Sequence, residues 1–325
     1  MNLSKRIRNN IRKLIYKTNK MTTAVNNQVT TTQFVQYIQA LINKGGPSAS
    51  DLPKLELLIK NTYTKIKEKA YTPAELEQLK KAFLPIIKRD TIWGLCYLQP
   101  YGYPGDFEII DKVHTYYVNP NPMYKKWDIL NQESNGLKAV RNRKELFKEL
   151  LSEYAQTPDF QVLNVASGPC RDVLEYLEAN PNQSIQIDCL EHDKNAIEYA
   201  TNLLEPVNSE QYQFIHANIF KFDTTKKYDF IWSAGLFDYF DDKTFVKIFQ
   251  LLHSFLKPNG RLIVGNFCWK NETRYMMELV DWHLHYRTRE ELMALGKAAC
   301  GEEVAMDIFE EEEGVNLFLR VEKFQ

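Results

Sequence analysis

The spacing of apolar residues changes part-way along the chain and divides it into two regimes. From Thr32 to about Tyr154 apolar positions recur at i, i+3 and i+4, as in "TQFVQYIQALINK", "TPAELEQLKKAFLPIIK" and "NRKELFKELLSEY", which predicts helices. The second of these opens with a Thr cap and a Pro at the first helical position. Between them, "LQPYGYPGDFEIIDKVHTYYVNPNPMYKKWD" is rich in Tyr, Gly, Pro and Asn. It reads as an aromatic lid-like loop, with Asp106 capping a short helix "FEIIDKVH".

From Gln161 the rhythm becomes that of strands. The runs "QVLNVAS", "SIQIDCLEH", "QYQFIHANI", "YDFIWSAGL" and "RLIVGNF" alternate with helical segments such as "RDVLEYLEA", "KNAIEYATNLL" and "KTFVKIFQLLHSFL". Strands apolar on both faces and separated by helices predict a parallel sheet with right-handed crossovers. The final stretch, "EVAMDIFEEEEGVNLFLRVEKF", predicts a hairpin turning near Gly314 and hence an antiparallel last strand. The predicted organisation is an arm and linker over 1–31, a helical cap over 32–155, and an α/β sheet domain over 156–325.

Composition narrows the classes. A hydrophobic content of 44% supplies a sizeable core, and a net charge of −1 gives no global attraction to nucleic acid or to an anionic membrane. The exception is the arm. Leu3, Ile7, Ile11, Leu14 and Ile15 recur at helical spacing among seven basic residues within the first twenty, so this segment is either a mobile extension or a peripheral membrane contact. Five cysteines show no CxxC or Cys/His cluster, which predicts no metal site and a reducing, cytoplasmic setting.

Chemistry concentrates at the predicted strand ends. "LNVASGPCRD" is a strand, a tight turn and a helix start, with Gly168 as its single glycine. "CLEHDKNAIEYA" carries Glu191 at a strand terminus, where a carboxylate can accept bonds from both hydroxyls of a ribose. "HANIF", "YDFIWSAGLFDYFDD" and "LKPNGRLIVGNF" follow in order. In this order and spacing the region from Gln161 to Gln325 resembles a class I S-adenosylmethionine-dependent methyltransferase domain, which implies a seven-stranded Rossmann-like sheet with an antiparallel last strand behind a helical lid. The resemblance implies S-adenosyl-L-methionine as cofactor, held by Asn164, Ala166, Gly168, Arg171, Glu191, His192, Asn218, Ile219, Ser233, Ala234 and Gly235. This chain departs from the family run at Asn164, Ala166 and Cys170, and Asn164 cannot offer a carboxylate to the cofactor's ammonium. "QPYGYPGDFEIID", "AVRNRKELF", "SGPCRD" and "WHLHYRTREEL" further resemble methyltransferases of bacterial 3-hydroxypalmitic acid methyl ester synthesis.

The acceptor implied is a small molecule with an oxygen nucleophile, not nucleic acid. A carboxylate needs no base and suits a cationic grip by Arg141, Arg143 or Arg287. A hydroxyl calls for a base, with His283 or His285 as candidates. Tyr101, Tyr103, Phe237, Tyr239, Asn266, Trp282 and Tyr286 are the further candidates around the acceptor. Nitrogen and carbon acceptors stay open, as do a nucleotide-dependent oxidoreductase and a non-catalytic cofactor-binding partner.

Overall fold

The computed structural model describes residues 29–324, so the basic arm lies outside the described residues. The front half is helical: α1 (Thr31–Asn43), α2 (Leu52–Lys67), α3 (Pro73–Lys81), α4 (Ile92–Leu98), α5 (Phe107–His114), α6 (Pro122–Gln132) and α7 (Asn135–Tyr154). Local chemistry starts several of these. Reciprocal capping boxes, Thr30 with Gln33 and Thr72 with Glu75, open α1 and α3, and Asp106 caps α5 by accepting from the N–H groups of Glu108 and Ile109. Phe34, Ile38, Phe83, Trp93 and Trp127 form the centre of this half's core, with Phe83 edge-on to Trp93 at 5.2 Å. The aromatic stretch read as a loop is about half helical, carrying α5 and the start of α6. Asp106 and Asn121 cap α5 and α6, Trp127 is core, and the irregular segments are 99–106, which covers the cavity, and 115–121.

The back half alternates β1 (Phe160–Val165), α8 (Arg171–Ala179), β2 (Ile185–Glu191), α9 (Lys194–Leu203), β3 (Tyr212–His216), β4 (Tyr228–Ala234), α10 (Asp242–Ser254) and β5 (Leu256–Phe267). Then come α11 (Arg274–Leu279), α12 (Arg289–Cys300), β6 (Met306–Glu310) and β7 (Asn316–Glu322). The sheet order is β3-β2-β1-β4-β5-β7-β6, parallel except for β7, which runs antiparallel to both its neighbours. The sheet and its last hairpin agree with the sequence expectation. Helices α7, α8 and α9 cover one face through Phe147, Leu151, Val173, Leu177 and Ala200, while α10 and α12 cover the other through Phe245, Phe249 and Leu292. The chain winds outward from β1 to β3 and returns to β4 beside β1. That reversal opens a crevice at the carboxyl ends of β1 and β4, where open α/β sheets bind their ligands.

Helix α7 serves both halves. Its first turns place Leu137 and Val140 in the helical core, and its last turns place Phe147, Leu150 and Leu151 against the sheet. Phe147 lies 5.6 Å from the Trp232 ring of β4. Arg143 sits between these two stretches, at the crevice.

Candidate active site

A cavity of about 290 Å³ occupies the crevice, close to the lower bound of roughly 300 Å³ for small-molecule sites. Asn164 and the turn Ala166–Pro169 form its floor at β1, Glu191 and His192 its side at β2, and Ala234–Leu236 its side at β4. Arg143 of α7 and Tyr103–Gly105 of the loop complete the cover. The turn after β1 needs left-handed backbone, with φ of +54° at Ala166 and +55° at Gly168. A Cβ on Gly168 would meet nothing within 4 Å, so the glycine is there for its backbone conformation and for open access to the cavity.

Backbone donors converge on Glu191. Its Oε2 accepts from the Gly168 N–H at 3.0 Å, and its Oε1 accepts from the N–H groups of His192 and Asp193 at 2.7 and 3.0 Å. Burial pushes its pKa up, but the bonds from the His192 ring and these N–H groups outweigh burial and hold the carboxyl below its usual range. Glu191 is thus an ionised, pre-positioned acceptor. Its neighbour Asp193 caps α9 through the Asn195 N–H and also accepts from the Tyr103 hydroxyl at 2.8 Å, which ties the covering loop to the β2 turn.

The cover is fastened a second time. The Tyr239 hydroxyl donates to the Pro104 carbonyl at 3.1 Å and accepts from Trp282 Nε1 at 3.0 Å. A Cβ on Gly105 would come within 2.8 Å of both Trp282 and Tyr239, so the loop packs down there because it has none.

Arg143 is the most unusual group in the cavity. It is buried, and among the described residues none of its N–H groups has a hydrogen-bond partner and no carboxylate forms an ion pair with it. Burial lowers its pKa, against the attraction of Asp238, Tyr239 and Asp172. Asp172, in the first turn of α8, also faces the cavity, and burial raises its pKa to about 6 despite the Val173 N–H and Arg143. Asn164 Nδ2 and Ser167 Oγ are buried without partners in the protein.

Several residues singled out in the sequence lie elsewhere. His283 and His285 are exposed, His283 with 62% of its side chain in solvent beside Glu278 and Asp281, because residues 282–288 run irregularly rather than as a helix. Arg171 turns from the cavity to form a two-bond pair with Asp111. Arg141 is taken up by the side chain and carbonyl of Gln132. Arg287 is buried and saturated by the carbonyls of Phe237 and Phe240, by Asn266 Oδ1 and by Asp242, which accounts for Asn266 too. Asn218 is exposed and caps a short turn through the Phe220 N–H, while Ile219 and Phe237 are core. Ser233 donates to the Val165 carbonyl inside the sheet. Tyr101 lies on the outer surface with Arg89 and Glu108, and Tyr286 is packed against Trp269 behind the loop. Trp282 backs the loop rather than lining the cavity.

The cavity also contains residues that the sequence reading did not single out, among them Asp172, His114, Trp232 and Leu236. Asp172 carried a usable signal: an acid within eight residues of Asn164, the position where the resembled family has one.

Residues 156–313 match a family model described as a methyltransferase domain. The back half of this chain is a class I methyltransferase domain. The domain is 29% identical over 130 residues to a malonyl-[acyl-carrier protein] O-methyltransferase of Ilyobacter polytropus, a match covering 39% of this chain and 48% of that protein. The chain thus spans about half the length of the curated relative it matches. Among solved structures, that of a possible exported protein from Bordetella parapertussis has the same fold, helical half included, with a TM-score of 0.60 at 13% identity over 94% of this chain and 100% of that one. A magnesium protoporphyrin IX methyltransferase from Synechocystis with bound S-adenosylmethionine aligns at a TM-score of 0.44 and 12% identity, over 57% of this chain and 83% of that one. No helix among the described residues of this methyltransferase-domain protein is long and apolar enough to cross a membrane.

Proposed function

We propose that the protein transfers a methyl group from S-adenosylmethionine to an oxygen of a small molecule, with a carboxylate as the acceptor. The observation that carries this reading is the convergence of an ionised Glu191, the open Gly168 turn and the unpartnered Asn164 and Ser167 groups on one covered cavity. These residues fit an adenosyl amino acid. Glu191 would receive the ribose hydroxyls, and the β1 turn would present backbone without side-chain obstruction. When bound, the cofactor supplies an electrophilic methyl group on a sulfonium. The protein's part is then to orient the acceptor and exclude water, and the loop 99–106, fastened through Tyr103 and Tyr239, serves that end.

The choice of a carboxylate rests on chemistry. His283 and His285 stand outside the cavity, the Tyr103 and Tyr239 hydroxyls already donate to protein acceptors, and the imidazoles in the cavity wall are those of His114 and His192. An acceptor already nucleophilic at neutral pH needs none of them as a base. The likeness to an enzyme named for O-methylation is in keeping with this choice.

The test is incubation with methyl-labelled S-adenosylmethionine and a panel of carboxylic acids, hydroxy acids, phenols and amines. Label is expected in base-labile methyl esters. Label in amines alone overturns the oxygen reading, and binding of NADH in place of S-adenosylhomocysteine overturns the methyltransferase reading altogether.

A further inference from the structure

Two opposite charges face this cavity without meeting. Arg143 comes from α7 and Asp172 from the first turn of α8, and each acts electrostatically on the other. Yet no ion pair within 4.0 Å joins them, and the only side-chain hydrogen bond of Asp172 is the one its Oδ1 accepts from the Val173 N–H. A buried guanidinium and a partly buried carboxylate facing one cavity ordinarily close on one another, because separate desolvation of each is costly. Here they line the same cavity from α7 and α8 without pairing. A ligand that satisfies both brings a negative group to Arg143 and a positive group to Asp172 in one cavity. An α-amino-acid head does both.

Asn164 gives the second, independent observation. The end of β1 carries an amide, Asn164, and so brings no charge to an ammonium there. The nearest cavity-lining acid along the chain is Asp172, one loop further on.

We infer that Arg143 and Asp172 together form the receptor for the zwitterionic head of the cofactor, Asp172 giving the ammonium the charge that Asn164 lacks and Arg143 taking the carboxylate. This rests on the cofactor reading given above. It moves Arg143 from the acceptor side to the cofactor side and leaves the acceptor to the loop and the β4 end.

Two ligands separate the possibilities. S-adenosylhomocysteine carries the amino-acid head, whereas 5′-methylthioadenosine is the same nucleoside thioether without it. Isothermal titration of both into the full chain, as wild type, Asp172→Asn and Arg143→Lys, is the experiment. Each substitution is expected to weaken S-adenosylhomocysteine by roughly tenfold or more, the equivalent of one charge-assisted bond, and to leave 5′-methylthioadenosine nearly unchanged. An unchanged preference between the two ligands in both variants overturns the inference. So does equal loss of both ligands, since a head-group receptor must spare a ligand that has no head. If Arg143→Lys instead raises the KM for a carboxylate acceptor alone, Arg143 belongs to the acceptor and the inference falls. Failure of the wild type to bind either ligand is a different result, which removes the cofactor reading and this inference with it.

Discussion

Arg143 and Arg287 are both buried arginines at the carboxyl edge of the same sheet, and they are opposites. Arg287 has its guanidinium enclosed by two carbonyls, an asparagine oxygen and Asp242, so every direction it can donate in is taken. Arg143 is also buried, and has no partner among the described residues. A filled shell marks a charge that holds the fold together, and an empty one marks a charge kept for something else. Nothing in the sequence around either arginine says whether carbonyls and carboxylates will close on it in the fold.

The sharpest way to break this contrast is to remove each charge and measure stability. Arg287→Ala leaves three buried acceptors without a donor and Asp242 without its partner, and should cost about 3–5 kcal/mol in denaturant unfolding. Arg143→Met, which deletes an unpartnered charge, should leave the unfolding midpoint unchanged or raised. Equal losses in the two variants would erase the distinction.

Asp106 is an intermediate case, since it caps α5 with two N–H bonds while burial lifts its pKa to about 6. Its charged form is penalised in the folded state, so the cost is absent below about pH 4, grows as pH rises towards 6 and is constant above that. Asp106→Asn keeps the cap and removes the charge. At pH 7.5 it should be more stable than the wild type by at most about 2–3 kcal/mol, with the gain vanishing near pH 4. A gain independent of pH would show that charge is not the reason.

Glu191 tests the ligand side of the same distinction. Glu191→Gln should weaken S-adenosylhomocysteine by about 1.5–3 kcal/mol in titration, and unchanged affinity would remove Glu191 from the ribose. Tyr103→Phe should have the smallest effect. Loss of its bond to Asp193 should cost about 1 kcal/mol and speed ligand release in stopped-flow displacement, without altering the unfolding midpoint beyond that amount.

What the sequence made legible follows the same line between filled and open shells. The parallel core was readable because strands buried on both faces, such as Phe160–Val165 and Tyr228–Ala234, cannot hide their composition. Glu191 and Gly168 were readable because backbone geometry at strand ends constrains the residue type. The arginines and histidines were not, because their roles depend on which carbonyls and carboxylates the tertiary fold brings to them. Arg171 meets Asp111 across sixty residues, and Arg287 meets Phe237 across fifty. The stretch from Leu98 to Asp128 misled for a different reason. Its Tyr, Gly, Pro and Asn content resembles a loop, while Asn121 and Pro122 in it are the cap and first residue of α6.

Helix α7 has a last consequence. The family match begins at residue 156, just after this helix ends, so similarity would have the methyltransferase unit start there. The folding unit starts earlier. A fragment beginning at 156 would bare the rings of Phe230 and Trp232 that Phe147 covers, and would discard Arg143, the one arginine in the cavity wall among the described residues. The front half is therefore not a hat that can be lifted from a finished enzyme, because one continuous helix is at once a rib of the sheet layer and the carrier of a charged group in the cavity.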